Sequence, residues 1–229
     1  MKLARVLGAL VLLGVSFGYV EAAVVVYLQT LYQPLRDAAY GEAYRNEVVP
    51  PLRLEHLEAA GPQHAHLLLV ELGREFATLV LLAAAGLAVA RNVREWLAGF
   101  VIAFGVWDVF YYVFLRLLIG WPASLWTWDL LFLLPVPWVG PVIAPVIVSA
   151  TMIATGVITL WREAGARPVR ARWLDWLMIF AGGLVIIAAF CWDWRNSMAG
   201  RWPNPFNWPL FWLGEALGVG GFVSALRRN

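Results

Sequence analysis

The chain alternates long apolar runs with short segments rich in Arg, Trp, Pro and Gly. A bilayer-spanning helix needs about 20 mostly apolar residues. Six stretches meet that length, at 6–29, 66–90, 97–119, 139–161, 173–192 and 207–225. The pattern predicts an all-α integral membrane protein with six transmembrane helices, a single polytopic domain over 1–229 and an external loop at 30–65. Lys2 and Arg5 ahead of the first run also fit a signal peptide, with Glu21, Ala22 and Ala23 a poor cleavage site. The run resumes through Val24–Leu28, which favours a span.

One segment breaks the pattern. Pro135, Pro137, Pro141 and Pro145, with Gly140, interrupt the approach to the fourth span. Each proline lacks a backbone donor, so Asp129–Leu134 is expected as a half-helix or re-entrant stretch before that span. Such broken backbone can offer carbonyls to a cation.

Composition sharpens the class. Hydrophobic residues make up 62% of the 229 and charged ones 14%, and mean hydropathy is +0.71. Ordinary globular chains are roughly 45–50% apolar and 25% charged. Soluble enzymes, secreted modules and disordered adaptors are thereby excluded. A net charge of +2 gives no basis for a nucleic-acid partner, and the lone Cys191 forbids an internal disulfide. The expected partners are the lipid bilayer and either a lipid-like ligand or another membrane protein.

Basic residues give the orientation. Lys2, Arg5, Arg91, Arg94, Arg162, Arg167, Arg170, Arg172, Arg227 and Arg228 fall on one side of a six-span chain. Arg36, Arg45, Arg53, Arg195 and Arg201 fall on the other, over longer segments. Both termini are therefore expected in the cytoplasm of a bacterial-type inner membrane. Most of the 14 tryptophans sit at span ends, as an interfacial belt requires. Trp107, deep in the third span, does not.

Candidate chemistry lies in the acids. Glu21, Glu71, Glu75, Asp108, Asp129 and Glu215 all map to the outer half, from five segments, with Arg74 and Arg116 the only basic residues inside spans. Six carboxylates against two arginines leave a formal charge of minus four, which needs protons, a cation or water to persist. The second span places Glu71, Arg74, Glu75 and Thr78 on one stripe, where Arg74 can neutralise one carboxylate. In the third, Asp108 and Tyr112 are at i, i+4 spacing, so the Tyr112 hydroxyl can donate to Asp108, while Arg116 near the outer end can snorkel. Glu21 shares a face with Gly14 and Gly18, whose spacing permits a close helix approach, as does that of Gly214 and Gly218 around Glu215.

These residues predict an outer-leaflet pocket facing the periplasm or exterior that binds a cation or exchanges protons. Glu75, Asp108 and Asp129 are its acid/base candidates. A divalent metal would draw on Glu71, Glu75, Asp108 and His64, with Glu21, Arg74, Tyr112, Arg116 and Glu215 in support. A membrane-embedded enzyme acting on a lipid-like substrate is one expectation. A non-catalytic subunit or assembly factor, whose acids lock helices together, is the other. A small transporter ranks lower, because few deep polar residues line an inner path.

No metalloprotease, nucleophile-elbow, phosphate-loop, dinucleotide or EF-hand motif is present. The stretch Trp121–Asp129 has a Trp126-Thr-Trp128-Asp129 core that resembles a fragment of the tryptophan-rich outer segment of haem-handling proteins in cytochrome c maturation. It covers about nine residues, and the flanking histidine of that family's last outer loop has no counterpart in 193–206. The resemblance implies haem handling as a further alternative.

Overall fold

The computed structural model describes residues 3–41 and 47–228, the side chain of Ala65 apart; Lys2 and Arg45 lie outside the described residues. The order of elements is α1 (Leu3–Tyr40), α2 (Leu54–Ala59), α3 (Pro62–Val89), α4 (Val93–Ile119), β1 (Trp128–Phe132), β2 (Trp138–Pro141), α5 (Ile143–Ala164), α6 (Trp173–Cys191), α7 (Trp194–Met198) and α8 (Trp208–Arg227). Among the described residues the regular elements are thus helices apart from one small hairpin. Five helices, α1, α4, α5, α6 and α8, are long and apolar enough to cross a membrane. The second expected span coincides with α3, a 28-residue helix outside that set. The segment 30–65, expected as a loop, holds the last turns of α1, all of α2 and the start of α3. Helix α1 runs unbroken through Glu21–Ala23.

Local chemistry accounts for the helix ends. Asn92 caps α4 by accepting from Glu95 N (3.0 Å), and the Glu95 carboxylate accepts from Arg91 N (2.8 Å). At the other end Gly120 takes φ +72°, a left-handed conformation that residues with a Cβ adopt rarely. Pro62 and Pro209 stand in the first turns of α3 and α8, where a missing N–H leaves no bond unmade.

Helix α4 is the centre of the bundle. Half of its apolar window is buried inside the protein, against 22–28% for the other four candidate spans, and it packs on α1, α3 and α5. The α1 contact depends on glycine. A Cβ on Gly14 would stand 2.8 Å from Val106, and one on Gly18 3.0 Å from the Trp107 carbonyl. This is the close approach their spacing predicts, and it turns the face bearing Glu21 onto α4. Helices α6 and α8 pair in the same way, through Gly182 against Gly214 and Gly218.

The start of α1 and the turns α3–α4 and α5–α6 share one end of the bundle with the end of α8, since Leu3 and Leu7 pack near Leu160 and Ala98, and Ala225 faces Arg94 and Val169. Ion pairs gather there: Arg91 with Glu95, Arg94 with Glu163, and Arg228 with Asp175.

At the opposite end the proline-rich segment, expected as a half-helix or a re-entrant stretch, is a β-hairpin, which excludes the half-helix. Trp128 pairs with Pro141, Asp129 with Gly140, Leu130 with Val139 and Phe132 with Trp138, antiparallel, with an irregularity between Leu130 and Phe132. Pro135 and Pro137 fall in the turn and Pro141 at a strand end, where the lost donors matter least. A helix would have needed those same N–H groups. The carbonyls of Leu125 and Thr127 accept from Ile143 N (2.8 Å) and Val142 N (3.0 Å), which joins the segment before the hairpin to the start of α5.

Candidate functional site

Five of the six acids predicted from the outer half converge. Glu21 from α1, Glu71 and Glu75 from α3, Asp108 from α4 and Asp129 from β1 line one cavity of about 100 Å³, together with Arg74, Thr78, Trp107, Tyr111 and Tyr112. Helix spacing explains how each element aims its side chains. Glu71, Arg74, Glu75 and Thr78 share the α3 stripe, and Asp108, Tyr111 and Tyr112 share that of α4.

The charges divide into two groups. Arg74 bridges α1 and α3, donating from Nη1 to Glu21 and from Nε (2.9 Å) and Nη2 to Glu71. The guanidinium therefore binds two carboxylates, where sequence reasoning allowed it one. Glu75, Asp108 and Asp129 have no ion pair among the described residues.

Hydrogen bonds position these three acids. Both oxygens of Glu75 accept from Leu133 N at 3.0 Å, which ties the end of the hairpin strand to α3. Asp108 accepts from Ser149 Oγ of α5 at 2.7 Å through Oδ2. Asp129 accepts from Tyr112 Oη (2.8 Å) and from Leu130 N (2.8 Å). Tyr112 thus serves Asp129 rather than Asp108, the partner its helical spacing had indicated. The hairpin brings an acceptor across from another element, and Ser149 supplies Asp108 instead.

Three predicted residues lie elsewhere. Glu215 accepts from Thr151 Oγ1 (3.0 Å) at the α5–α8 contact. Arg116 donates to the carbonyls of Gly120 and Pro122, closing the C-terminal end of α4. His64 stands against the Tyr32 ring, 6.3 Å between centroids. The proposed metal set of Glu71, Glu75, Asp108 and His64 is not assembled, because His64 faces Tyr32 and Glu71 is bound to Arg74. Among the described residues, no three His, Cys, Asp or Glu side chains are grouped to hold a metal.

Trp107 now has a place. It is 5% exposed, lines the acidic cavity, and packs on Phe17, Phe104 and Phe132 at centroid distances of 6.2, 5.2 and 6.4 Å.

Beside the acidic pocket lies a vestibule of about 670 Å³. The two share Val25, Glu71, Tyr111, Asp129, Leu130 and Leu133 as lining. Much of the vestibule wall comes from segments the sequence left as loops, including Arg36, Glu47, Pro51, Leu57 and Trp121. Burial raises the Glu47 carboxyl above its ordinary range, against the opposing pull of Arg36. Arg36 itself is anchored through Nη1 to the carbonyls of Val48 (3.2 Å) and Pro50 (2.8 Å). Ser149 escaped sequence reasoning, which used Arg36 only for orientation and Trp121 only as the start of the tryptophan-rich stretch. One serine in an apolar span and one loop arginine carry no local signal of a place in a cavity wall.

No protein-family model, curated protein or solved structure matches the chain.

Proposed function

We propose that this is a six-span protein of a bacterial-type inner membrane, both termini cytoplasmic, whose acidic pocket faces the periplasm or exterior and takes up a cationic group or protons. Its reaction class is acid/base chemistry on a lipid-like substrate, with Asp108 and Glu75 as proton-exchanging groups and Asp129 beside them. One observation carries this reading. Glu75, Asp108 and Asp129, from three different elements, meet in one small cavity with no ion pair among the described residues, and that cavity adjoins a vestibule of ligand size. Five carboxylates and one guanidinium give the cavity a formal charge of minus four, and burial makes an uncompensated excess of that kind costly.

A non-catalytic subunit is the second reading, favoured by the Arg74 bridge between α1 and α3 and by the bond from Leu133 to Glu75. Both are polar ties between segments of the kind that fix a bundle.

The two separate in one experiment. The protein is purified in mild detergent, its metal content and absorbance spectrum are recorded, and its thermal stability is followed against sodium, magnesium and methylammonium. A ligand-dependent rise in Tm that is lost in Glu75→Gln and Asp108→Asn supports the pocket. Variants that respond to every cation as the wild type does would sink it. Loss of stability without any cation response in the wild type would favour the subunit reading, and a haem spectrum would favour haem handling.

A further inference from the structure

The acids of the pocket share one cavity but are set too wide for a metal. Glu75, Asp108 and Asp129 line it and are 5%, 7% and 2% exposed, yet among the described residues no three His, Cys, Asp or Glu side chains are grouped to hold a metal ion. Each is held by a donor from a different segment: Leu133 N for Glu75, Ser149 Oγ for Asp108 and Tyr112 Oη for Asp129. The Arg74 guanidinium is engaged by Glu21 and Glu71. Aromatic rings alternate with the acids, since Trp107, Tyr111, Tyr112 and Phe132 line the same cavity. Such a lining suits an organic ammonium. Its N–H groups reach carboxylate oxygens at about 2.7–2.9 Å rather than the roughly 2.0–2.6 Å of a hard metal ion, and ring faces attract its charge.

Resting on the proposed cation-binding role of the pocket, we infer that the ligand is a long-chain primary amine, its ammonium among Glu75, Asp108 and Asp129 and its hydrocarbon chain in the vestibule. A primary ammonium carries three N–H donors, one for each of the three carboxylates. Size assigns the ends. A water occupies about 30 Å³ of liquid, so a cavity of about 100 Å³ takes roughly three such units, enough for an ammonium and its first methylenes. The vestibule, at about 670 Å³, lies within the usual range for ligand sites, and Leu28, Leu52, Leu57, Leu68 and Ile119 give it an apolar wall. Its charged residues call for no second charge on the ligand. Glu47 feels the pull of Arg36, Glu71 is bound to Arg74, and Asp129 belongs to the pocket as well. Three acids against one arginine on that wall also oppose an anionic group there, so the single charge sits at the amine.

The test is calorimetric titration of the full chain in mild detergent at neutral pH with methylammonium, octylamine and 1-octanol. A buried methylene is worth about fourfold in affinity, so octylamine is expected to bind at least about tenfold more tightly than methylammonium, the gain from two buried methylenes. It should also bind at least about tenfold more tightly than 1-octanol, which has the chain without the charge, the value of one charge-assisted hydrogen bond. Asp108→Asn and Glu75→Gln should each weaken both amines about tenfold. Leu28→Ser combined with Leu68→Ser, both half-buried on the vestibule wall, should cut the ratio of octylamine to methylammonium affinity below about threefold. Equal affinity for the two amines overturns the inference, as does a chain-length gain that survives the double leucine variant, or 1-octanol binding as tightly as octylamine. In each of those cases methylammonium binding that still depends on Asp108 leaves the cation pocket standing. Amine binding indifferent to Asp108→Asn and to Glu75→Gln overturns the pocket and the inference together.

Discussion

Replacing Arg74 with methionine tests the charge arrangement of the pocket directly, because methionine keeps most of the stem volume and removes the guanidinium that the described residues place there. The wild-type side chain makes three charge-assisted hydrogen bonds, one to Glu21 and two to Glu71. At about 1.5–3 kcal/mol each, those bonds set an upper bound near 5–9 kcal/mol. Relief of guanidinium desolvation returns part of this, and breaking a buried pair typically costs about 3–5 kcal/mol. Arg74 retains 24% side-chain exposure and Glu71 18%, so the lower end applies and the expected loss is about 3 kcal/mol. The assay is equilibrium unfolding in mixed micelles, run as a double-mutant cycle with Glu21→Gln and Glu71→Gln. Each amide should recover about 1 kcal/mol in the Arg74→Met background, since it removes a carboxylate left without its cation. Cation affinity should rise in Arg74→Met, whose pocket gains one further negative charge. A loss below about 1 kcal/mol, or no recovery from either amide, would refute the assignment of Arg74 as the shared counter-charge.

Three further outcomes follow from particular contacts. Tyr112→Phe leaves Asp129 Oδ2 without its 2.8 Å donor in a buried setting, and should destabilise by about 1–3 kcal/mol in the same unfolding assay; a change under about 0.5 kcal/mol would contradict that bond. Glu75→Ala removes the acceptor of Leu133 N and should speed limited proteolysis within 130–137, whereas Glu75→Gln keeps a carbonyl oxygen and should leave the cleavage rate near wild type; equal rates in the two variants would show the hairpin is held by other means. Gly182→Ala would set a Cβ 2.6 Å from Gly218 N and 2.7 Å from the Gly214 carbonyl, so overpacking of about 1–3 kcal/mol is expected. Gly183→Ala, with nothing within 4 Å, should be neutral or stabilising by up to about 1 kcal/mol, and a loss as large as that at position 182 would disprove the close α6–α8 crossing.

The apolar runs sufficed to locate the long helices, because in lipid a continuous apolar stretch satisfies its backbone only as a helix. They also placed the glycine crossings of α1 and assigned the five cavity acids to the same end of their segments, since helical spacing fixes which residues share a face. Spacing says nothing about how that face is rotated towards its neighbours. The tertiary structure therefore decided that Arg74 holds Glu21 as well as Glu71, that Tyr112 reaches Asp129 while Ser149 serves Asp108, and that Glu215, Arg116 and His64 stand apart. It also decided the hairpin and the vestibule. Prolines mark where a helix cannot continue, but the partner for a strand is another segment of chain, and the vestibule wall is built from residues whose local sequence reads only as connection. Periodicity is a property of one element, whereas a site depends on the packing of several.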